Sequence, residues 1–485
     1  MDISLASFSS NIITALYLVN VLFAFTVIFL ERRNPTSTLA WILVLFLLPA
    51  IGAFFYILLS QNLTRKKMFQ LSAQEQQRYS ALLHKDMEDL QSGRLAFADP
   101  IFENYKDLIH LHKKQSKALF SQDNTVEVIT DGTEKFKELF KCILNAKSHV
   151  HILYFIVKRD SLGKQLLRIL TEKAREGVEV RFLIDALGNQ LSANDLQPLR
   201  EAGGKVVLFF PSFLSLINLK INYRNHRKLV IIDGKKGFIG GFNVGDEYIG
   251  LKKRMGYWRD THLKIYGTAV HDMQTRFLLD WRAASGEEIS QSPKYYPEQD
   301  NKGRCGIQIV SSGPDSPQEE IKQGYIKMIN SAKKSVYIQT PYFIPDESIQ
   351  EALKIAALSG VDVRIMIPNK PDHVFIYWAT YSFIGDLLNA GVKAYIYNKG
   401  FLHAKTIVVD KLISSVGTAN FDIRSFKLNF EVNAFLYDRT VSQKLSQEFE
   451  KDLAFCNELT FYKYLRRSRT IKFKESISRL LTPVL

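Results

Sequence analysis

Two stretches of this chain carry the same reactive side chains at the same spacing. The first reads Asn225-His226-Arg227-Lys228-Leu229-Val230-Ile231-Ile232-Asp233, followed by Gly240-Gly241-Phe242-Asn243. The second reads Leu402-His403-Ala404-Lys405-Thr406-Ile407-Val408-Val409-Asp410, followed by Gly417-Thr418-Ala419-Asn420. Both obey H-x-K-x-x-x-x-D and then G-x-x-N, with the asparagine ten residues past the aspartate. One such match arises by accident often enough to mean little, but two with the same downstream Gly and Asn do not. On a β-rich run, residues two apart project from the same face, so each Lys stands beside its His. An ammonium beside an imidazole suits phosphate and not a metal ion.

Displacing an alcohol from a phosphodiester requires a nucleophile, an acid for the leaving oxygen, and positive charge on the nonbridging oxygens. One motif supplies one imidazole, and two supply both roles. His226 and His403 are therefore the candidate catalytic pair. Lys228, Lys405, Asn243 and Asn420 would neutralise and hold the phosphoryl oxygens. No metal or other cofactor is called for, because no cluster of Asp, Glu and His at two-metal spacing accompanies either motif. Each imidazole also needs an acceptor on its far nitrogen, and Asp260 and Glu431 occupy comparable downstream places in the two copies. Asp233 and Asp410 complete the motifs and are counted with the catalytic set, although their places at strand ends read as structural. His149, His151, His262, His271 and His373 are assigned no role.

The elements that must position these groups are themselves duplicated. Val126-Glu127-Val128-Ile129 is echoed by Ile307-Gln308-Ile309-Val310, and Gly177-Val178-Glu179-Val180-Arg181-Phe182 by Gly360-Val361-Asp362-Val363-Arg364-Ile365. The echoes keep their order and nearly their spacing. β-rich runs alternate with helical patterns in each copy, which implies two tandem α/β domains, each a mixed sheet flanked by helices, forming one site. The expected boundaries are 121–300 for the first and 301–485 for the second, with a polar connector over 63–120.

Residues 1–62 differ in kind. No charge occurs from Asn11 to Leu30 or from Leu39 to Leu59, each close to the roughly 20 residues a helix needs to cross a bilayer. The short link between them predicts a transmembrane hairpin, and Arg65-Lys66-Lys67 beyond it puts the large domains in the cytoplasm. Pro49 and Gly52 allow the second segment to kink or dip instead of crossing. A cleaved signal peptide would need a basic start and a shorter apolar core. The formal net charge of +15 favours a polyanionic partner, and the hairpin selects anionic membrane lipid over nucleic acid. Cys142, Cys305 and Cys456 are too few and too scattered for a disulfide framework.

The paired motifs resemble the phospholipase D superfamily over roughly residues 120 to 460. A narrower resemblance, to cardiolipin synthases, rests on Arg33-Asn34-Pro35, Leu39-Ala40-Trp41, Tyr223-Arg224-Asn225-His226, Thr340-Pro341-Tyr342-Phe343-Ile344-Pro345-Asp346 and Asn420-Phe421-Asp422-Ile423-Arg424-Ser425-Phe426. It implies a phosphatidyl transferase at the cell membrane that converts two phosphatidylglycerols to cardiolipin and glycerol through a phosphohistidine intermediate. Family precedent makes His226 the nucleophile and His403 the acid, while the symmetry of the motifs leaves the order open. Gly241-Phe242 departs from the Ser-x pair common in the superfamily, so a hydroxyl is missing there. A hydrolase of the same fold, releasing phosphatidic acid, is the alternative. Two further segments fit a membrane surface: an insertion containing Phe213 and Leu216, and a basic tail from Lys463 to Lys474 ahead of Ile477 and Leu480.

Overall fold

The computed structural model describes residues 14–15, 17–25, 35–48, 52, 56, 68–69, 72–211 and 223–482, except 288, 290–291, 301, 371 and 373. The chain divides into two compact units, Met1–Arg65 with Ser212–Tyr223, and Lys66–Pro211 with Arg224–Leu485. In the smaller unit the helix Pro35–Leu47 contributes buried Leu45, and Trp41 and Phe23 meet Tyr56 edge-on at 5.4 and 5.6 Å. Among the described residues no helix is long and apolar enough to cross a membrane. Much of 11–30 and 39–59, the insertion carrying Phe213 and Leu216, and His373 lie outside the described residues.

The larger unit is built on the duplication. The first copy contributes β1 (Ser121–Ile129), β2 (His149–Tyr154), β3 (Glu179–Asp185), β4 (Lys205–Phe209), β5 (Leu229–Ile232), β6 (Lys236–Gly240) and β7 (His262–Tyr266). The second contributes β8 (Cys305–Ser312), β9 (Ser335–Gln339), β10 (Asp362–Pro368), β11 (Lys393–Tyr397), β12 (Thr406–Val409), β13 (Ile413–Gly417), β14 (Asn429–Tyr437) and the edge strand β15 (Cys456–Leu459). The spatial orders are β1-β7-β6-β5-β2-β3-β4 and β8-β14-β13-β12-β9-β10-β11-β15, one the image of the other. Antiparallel pairing of β1 with β8, Ser121 opposite Ile307, joins them into one mixed sheet. The expected tandem α/β organisation is present.

Strand alternation assigns helices to both faces. In β2, Val150, Ile152 and Tyr154 point into a core shared with helices Gly132–Leu144 and Ser161–Arg175. His149 and His151 point the other way, onto helix Ala269–Ser285, where Gln274 meets both rings and Phe277 stacks on His151 at 4.7 Å. These two histidines are packing residues, held neutral by burial. β9 repeats the plan: Val336 and Ile338 enter one core, and Tyr337 stacks on Phe449 of helix Arg439–Leu453 at 4.9 Å. The polar connector packs onto the second copy. Its helix Lys106–Ser116 buries Leu108 and Ile109 in the second copy's core, and Gln308 donates to the carbonyls of Ile109 and Ala118.

Asp233 and Asp410 stand at the turns after β5 and β12, and each pins the start of a neighbouring strand. Asp233 accepts from the backbone N–H groups of Lys147, Ser148 and His149 at 2.7 to 3.1 Å. Asp410 does the same for Lys333, Lys334 and Ser335 at 2.7 to 2.8 Å. Both adopt left-handed φ values, +55° and +54°, which aspartate tolerates better than most side chains. Asp233→Ala removes the acceptor of several buried-edge donors and the residue suited to the turn. It is expected to destabilise the protein by about 1–3 kcal/mol, seen as a lower thermal midpoint, with activity per folded molecule retained.

Candidate active site

Short cross-copy strand pairs bring the two motifs together. Arg224–Asn225 runs parallel to Asn429–Phe430 of the second copy, and Gly400–Leu402 runs parallel to Tyr257–Arg259 of the first. The pairing continues into the motifs: His226 N–H donates to the Phe430 carbonyl at 3.0 Å, and His403 N–H to the Arg259 carbonyl at 2.7 Å. Each reactive histidine thus sits in the extended bridge before its strand, gripped by the opposite copy.

Its carboxylate partner comes from that opposite copy as well. His226 Nδ1 lies 2.9 and 3.0 Å from the two Glu431 oxygens, and His403 Nδ1 lies 2.5 Å from Asp260 Oδ2. A carboxylate can only accept, so both rings carry their proton on Nδ1 and turn the Nε2 lone pair outward. His226 and His403 line a single cavity of about 680 Å³, together with Asn243 and Asn420. Burial, opposed by Glu431, lowers the His226 pKa to about 4; burial and the charge of Lys405 lower His403 to about 4. Both rings are neutral at pH 7, as a nitrogen nucleophile must be. An anion placed between them would favour protonation of one ring.

Lys228 and Lys405 are buried, and neither is among the residues that line the cavity. Each ammonium donates to the carbonyl of its own motif histidine, at 2.6 and 2.5 Å. Burial lowers Lys228 to about 7 and Lys405 to about 8. Each lysine also acts electrostatically on the other motif's histidine, so the cations belong to one site. kcat/KM is therefore expected to rise above about pH 4, as the rings become neutral, and to fall above about 7 to 8, as the lysines lose charge. A pH profile from 4 to 9 checks this; an alkaline limb absent up to pH 9 would refute it.

The G-x-x-N loops complete the walls. Asn243 accepts from the Ile156 N–H at 3.1 Å and donates to the Tyr248 hydroxyl at 3.2 Å, while Asn420 donates to Asp422 at 3.1 Å. In the second copy Thr418 donates its hydroxyl to Glu431 at 2.5 Å. The first copy has Gly241 at that place, and a Cβ there would come within 2.1 Å of Asp260 Oδ1. The missing hydroxyl is thus explained by space: the glycine lets Asp260 lie against the loop. Asp233 and Asp410 are not among the lining residues.

The sequence reading missed several residues of the cavity. Arg224, Arg424, Asn429, Trp258, Tyr342 and Asp372 all line it. Tyr342 hydrogen-bonds Asp372, and Trp258 packs on His403 with ring centroids 5.2 Å apart. Arg224 could have been noticed as the residue that shares a strand face with His226, since it stands two positions before it.

The family described as "Cardiolipin synthase, PLD-like domain" matches residues 139–281 and 325–453, one segment in each copy. Across 99% of its length the chain is 54% identical to the major cardiolipin synthase of Bacillus subtilis, all of which is covered. The chain belongs to the cardiolipin synthase family. A cardiolipin synthase of Listeria monocytogenes is 50% identical over 98% of this chain and 99% of its own length. Residues 18–61 match a family described as "Phospholipase_D-nuclease N-terminal". Among solved structures, a phosphatidylserine synthase of Haemophilus influenzae superposes with a TM-score of 0.59 at 16% identity, covering 78% of this chain and 97% of that one. That likeness bears on the fold, and it agrees with the tandem sheet.

Proposed function

We propose that the chain condenses two phosphatidylglycerols to cardiolipin and glycerol. The observation that carries this reading is the pair of neutral imidazoles sharing one cavity, each oriented by a carboxylate of the other copy. One Nε2 attacks the phosphorus of the first lipid, and the other ring protonates the departing glycerol. The ring that gave up its proton then takes one from the primary hydroxyl of the second lipid, whose oxygen displaces the histidine from phosphorus. Lys228, Lys405, Asn243 and Asn420 stabilise the charge on the phosphoryl oxygens. Asp260 and Glu431 hold the rings. Asp233 and Asp410 act on the fold alone.

Residues 1–62 form a membrane hairpin in this reading, supported by the two uncharged segments and the match over 18–61. The catalytic copies, 121–300 and 301–485, then face the cytoplasm behind the basic Arg65-Lys66-Lys67. The tail is suited to the same surface. Phe473 and Leu480 of helix Arg469–Leu481 are exposed among basic residues, while Glu475 and Ser478 face inward.

The test is incubation of the purified full chain with phosphatidylglycerol vesicles, with products identified by mass spectrometry. Cardiolipin and glycerol in equal amounts are expected. Phosphatidic acid as the main product would replace the transferase by a hydrolase.

A further inference from the structure

The cavity that holds the two histidines opens to solvent along a rim of apolar and basic side chains. Leu187, Lys252 and Arg254 line the cavity and are themselves exposed, which marks where it opens. Around that opening Leu187, Leu251, Val374 and Phe375 are 52 to 64% exposed. Leu251 begins the loop 251–256, and Val374 and Phe375 begin the helix Val374–Leu388, whose Ile376 lines the cavity. The two segments are neighbours, because a Cβ on Gly256 would lie 3.7 Å from Lys370 Nζ. Later turns of the helix bury Ala379, Phe383 and Leu387, so its first turn is left with apolar side chains that the fold does not cover.

The exposed charges of the rim are predominantly basic. Lys252, Lys253 and Arg254 follow one another, and Lys370 stands close to the end of their loop. The acidic neighbours are engaged within the protein. Asp246 accepts from the Ser161 hydroxyl at 2.6 Å and the Leu162 N–H at 2.9 Å, Glu247 pairs with Lys158, and Asp372 accepts from the Tyr342 hydroxyl. The tail helix Arg469–Leu481 ends at the same cavity, since Thr482 lines it and Leu480 is exposed.

We propose that the rim formed by Leu187, residues 251–254, Val374 and Phe375 docks on an anionic bilayer surface, so that both lipids enter the cavity from the leaflet with their acyl chains still in it. This rests on the lipid-transfer reading above. Charge complementarity selects the occupant: such a surface offers phosphates to the cations and hydrocarbon to the apolar side chains. The size of the cavity requires the same. About 680 Å³ is the volume of a pocket that buries one drug-sized ligand, enough for two head groups and too little for four acyl chains. The chains must stay outside the opening, in hydrocarbon, while the phosphate reaches the imidazoles. Docking also puts lipid at the opening in place of bulk water, so the acceptor that meets the phosphatidyl-histidine is a lipid hydroxyl. An undocked rim leaves water there. Its oxygen then displaces the imidazole from phosphorus while its proton passes to the other ring, and phosphatidic acid gains on cardiolipin.

The full chain is assayed twice: reconstituted in phosphatidylglycerol vesicles, and in a neutral detergent with dihexanoyl phosphatidylglycerol below its critical micelle concentration, which needs no membrane to reach the cavity. For Leu251→Asp combined with Phe375→Asp, cardiolipin formation on vesicles is expected to fall about 10- to 100-fold, and turnover of the dissolved lipid by less than about threefold. Phosphatidic acid should rise as a share of the vesicle product. Lys253→Glu should lose about fivefold or more on vesicles at low salt, a loss that shrinks at high salt. These three side chains are exposed and none lines the cavity, so folding and chemistry are spared. Equal losses on vesicles and on dissolved lipid, or unchanged vesicle activity, overturn the docking surface. A fluorophore attached through Leu251→Cys, on a Cys456→Ser background that leaves only the buried Cys142 and Cys305, is expected to be quenched by vesicle lipids brominated near the head group. No quenching, whether the rim meets water or a second copy of the chain, overturns it as well. A wild-type chain that turns over neither lipid would instead remove the lipid-transfer reading itself.

Discussion

His403→Asn is expected to lose cardiolipin formation by about 10,000-fold or more, and so is His226→Asn, with thermal midpoints close to wild type. Asparagine fills part of the ring's volume and can still reach its carboxylate, so folding is spared. It cannot bond phosphorus or carry a proton at Nε2. The two losses should not multiply, because in the proposed mechanism the rings act on one phosphorus in successive halves of one exchange. The double variant is therefore expected to be no slower than the worse single one. Measured turnover on phosphatidylglycerol vesicles, compared across the three variants, checks both statements. A double variant slower than either single one by the product of their effects would mean that the rings serve separate sites.

Glu431→Gln should cost about 1,000- to 10,000-fold in kcat, through the tautomer of a histidine that lies 205 residues away in sequence. As a carboxylate Glu431 accepts from His226 Nδ1, Thr418 and Asn429. Burial works to raise its pKa, but His226 and Lys228 and the hydrogen bonds to it bring it below the ordinary value, so it is ionised at neutral pH. The amide offers an N–H toward Nδ1 instead. The ring then moves its proton to Nε2 and presents hydrogen, not a lone pair, to the cavity. The sign of the effect is tested on two backgrounds. Glu431→Gln should add little to His226→Asn but should add its full effect to variants of Asn243. Full additivity on the His226→Asn background would show that Glu431 acts elsewhere than through that ring.

The sequence was informative where chemistry is local and repeated. The identical spacing of His, Lys, Asp, Gly and Asn exposed the two motifs, and echoes such as Gly177-Val178 and Gly360-Val361 exposed the tandem sheet. It was silent where pairing is tertiary. Asp260 and Glu431 follow His226 and His403 in order, yet each carboxylate serves the other histidine, because the cross-copy strand pairs interleave the halves. The lysines stand two residues past the histidines, but their ammonium groups donate to the backbone carbonyls of those histidines and are buried behind the cavity wall. Arg424 looks in sequence like any residue of a capped helix. Only its place in the cavity wall separates it from a surface arginine.

The two halves lie on one polypeptide, and the pairing of β1 with β8 carries one sheet across both, which bears on how such a catalyst can evolve. A single-copy ancestor that assembled as a twofold dimer would have to present identical surroundings to both ends of the substrate, since any substitution would appear twice. Fusion removes that constraint. The two ends can then drift apart, as Gly241 in one copy and Thr418 in the other already show, while the motifs between them stay matched.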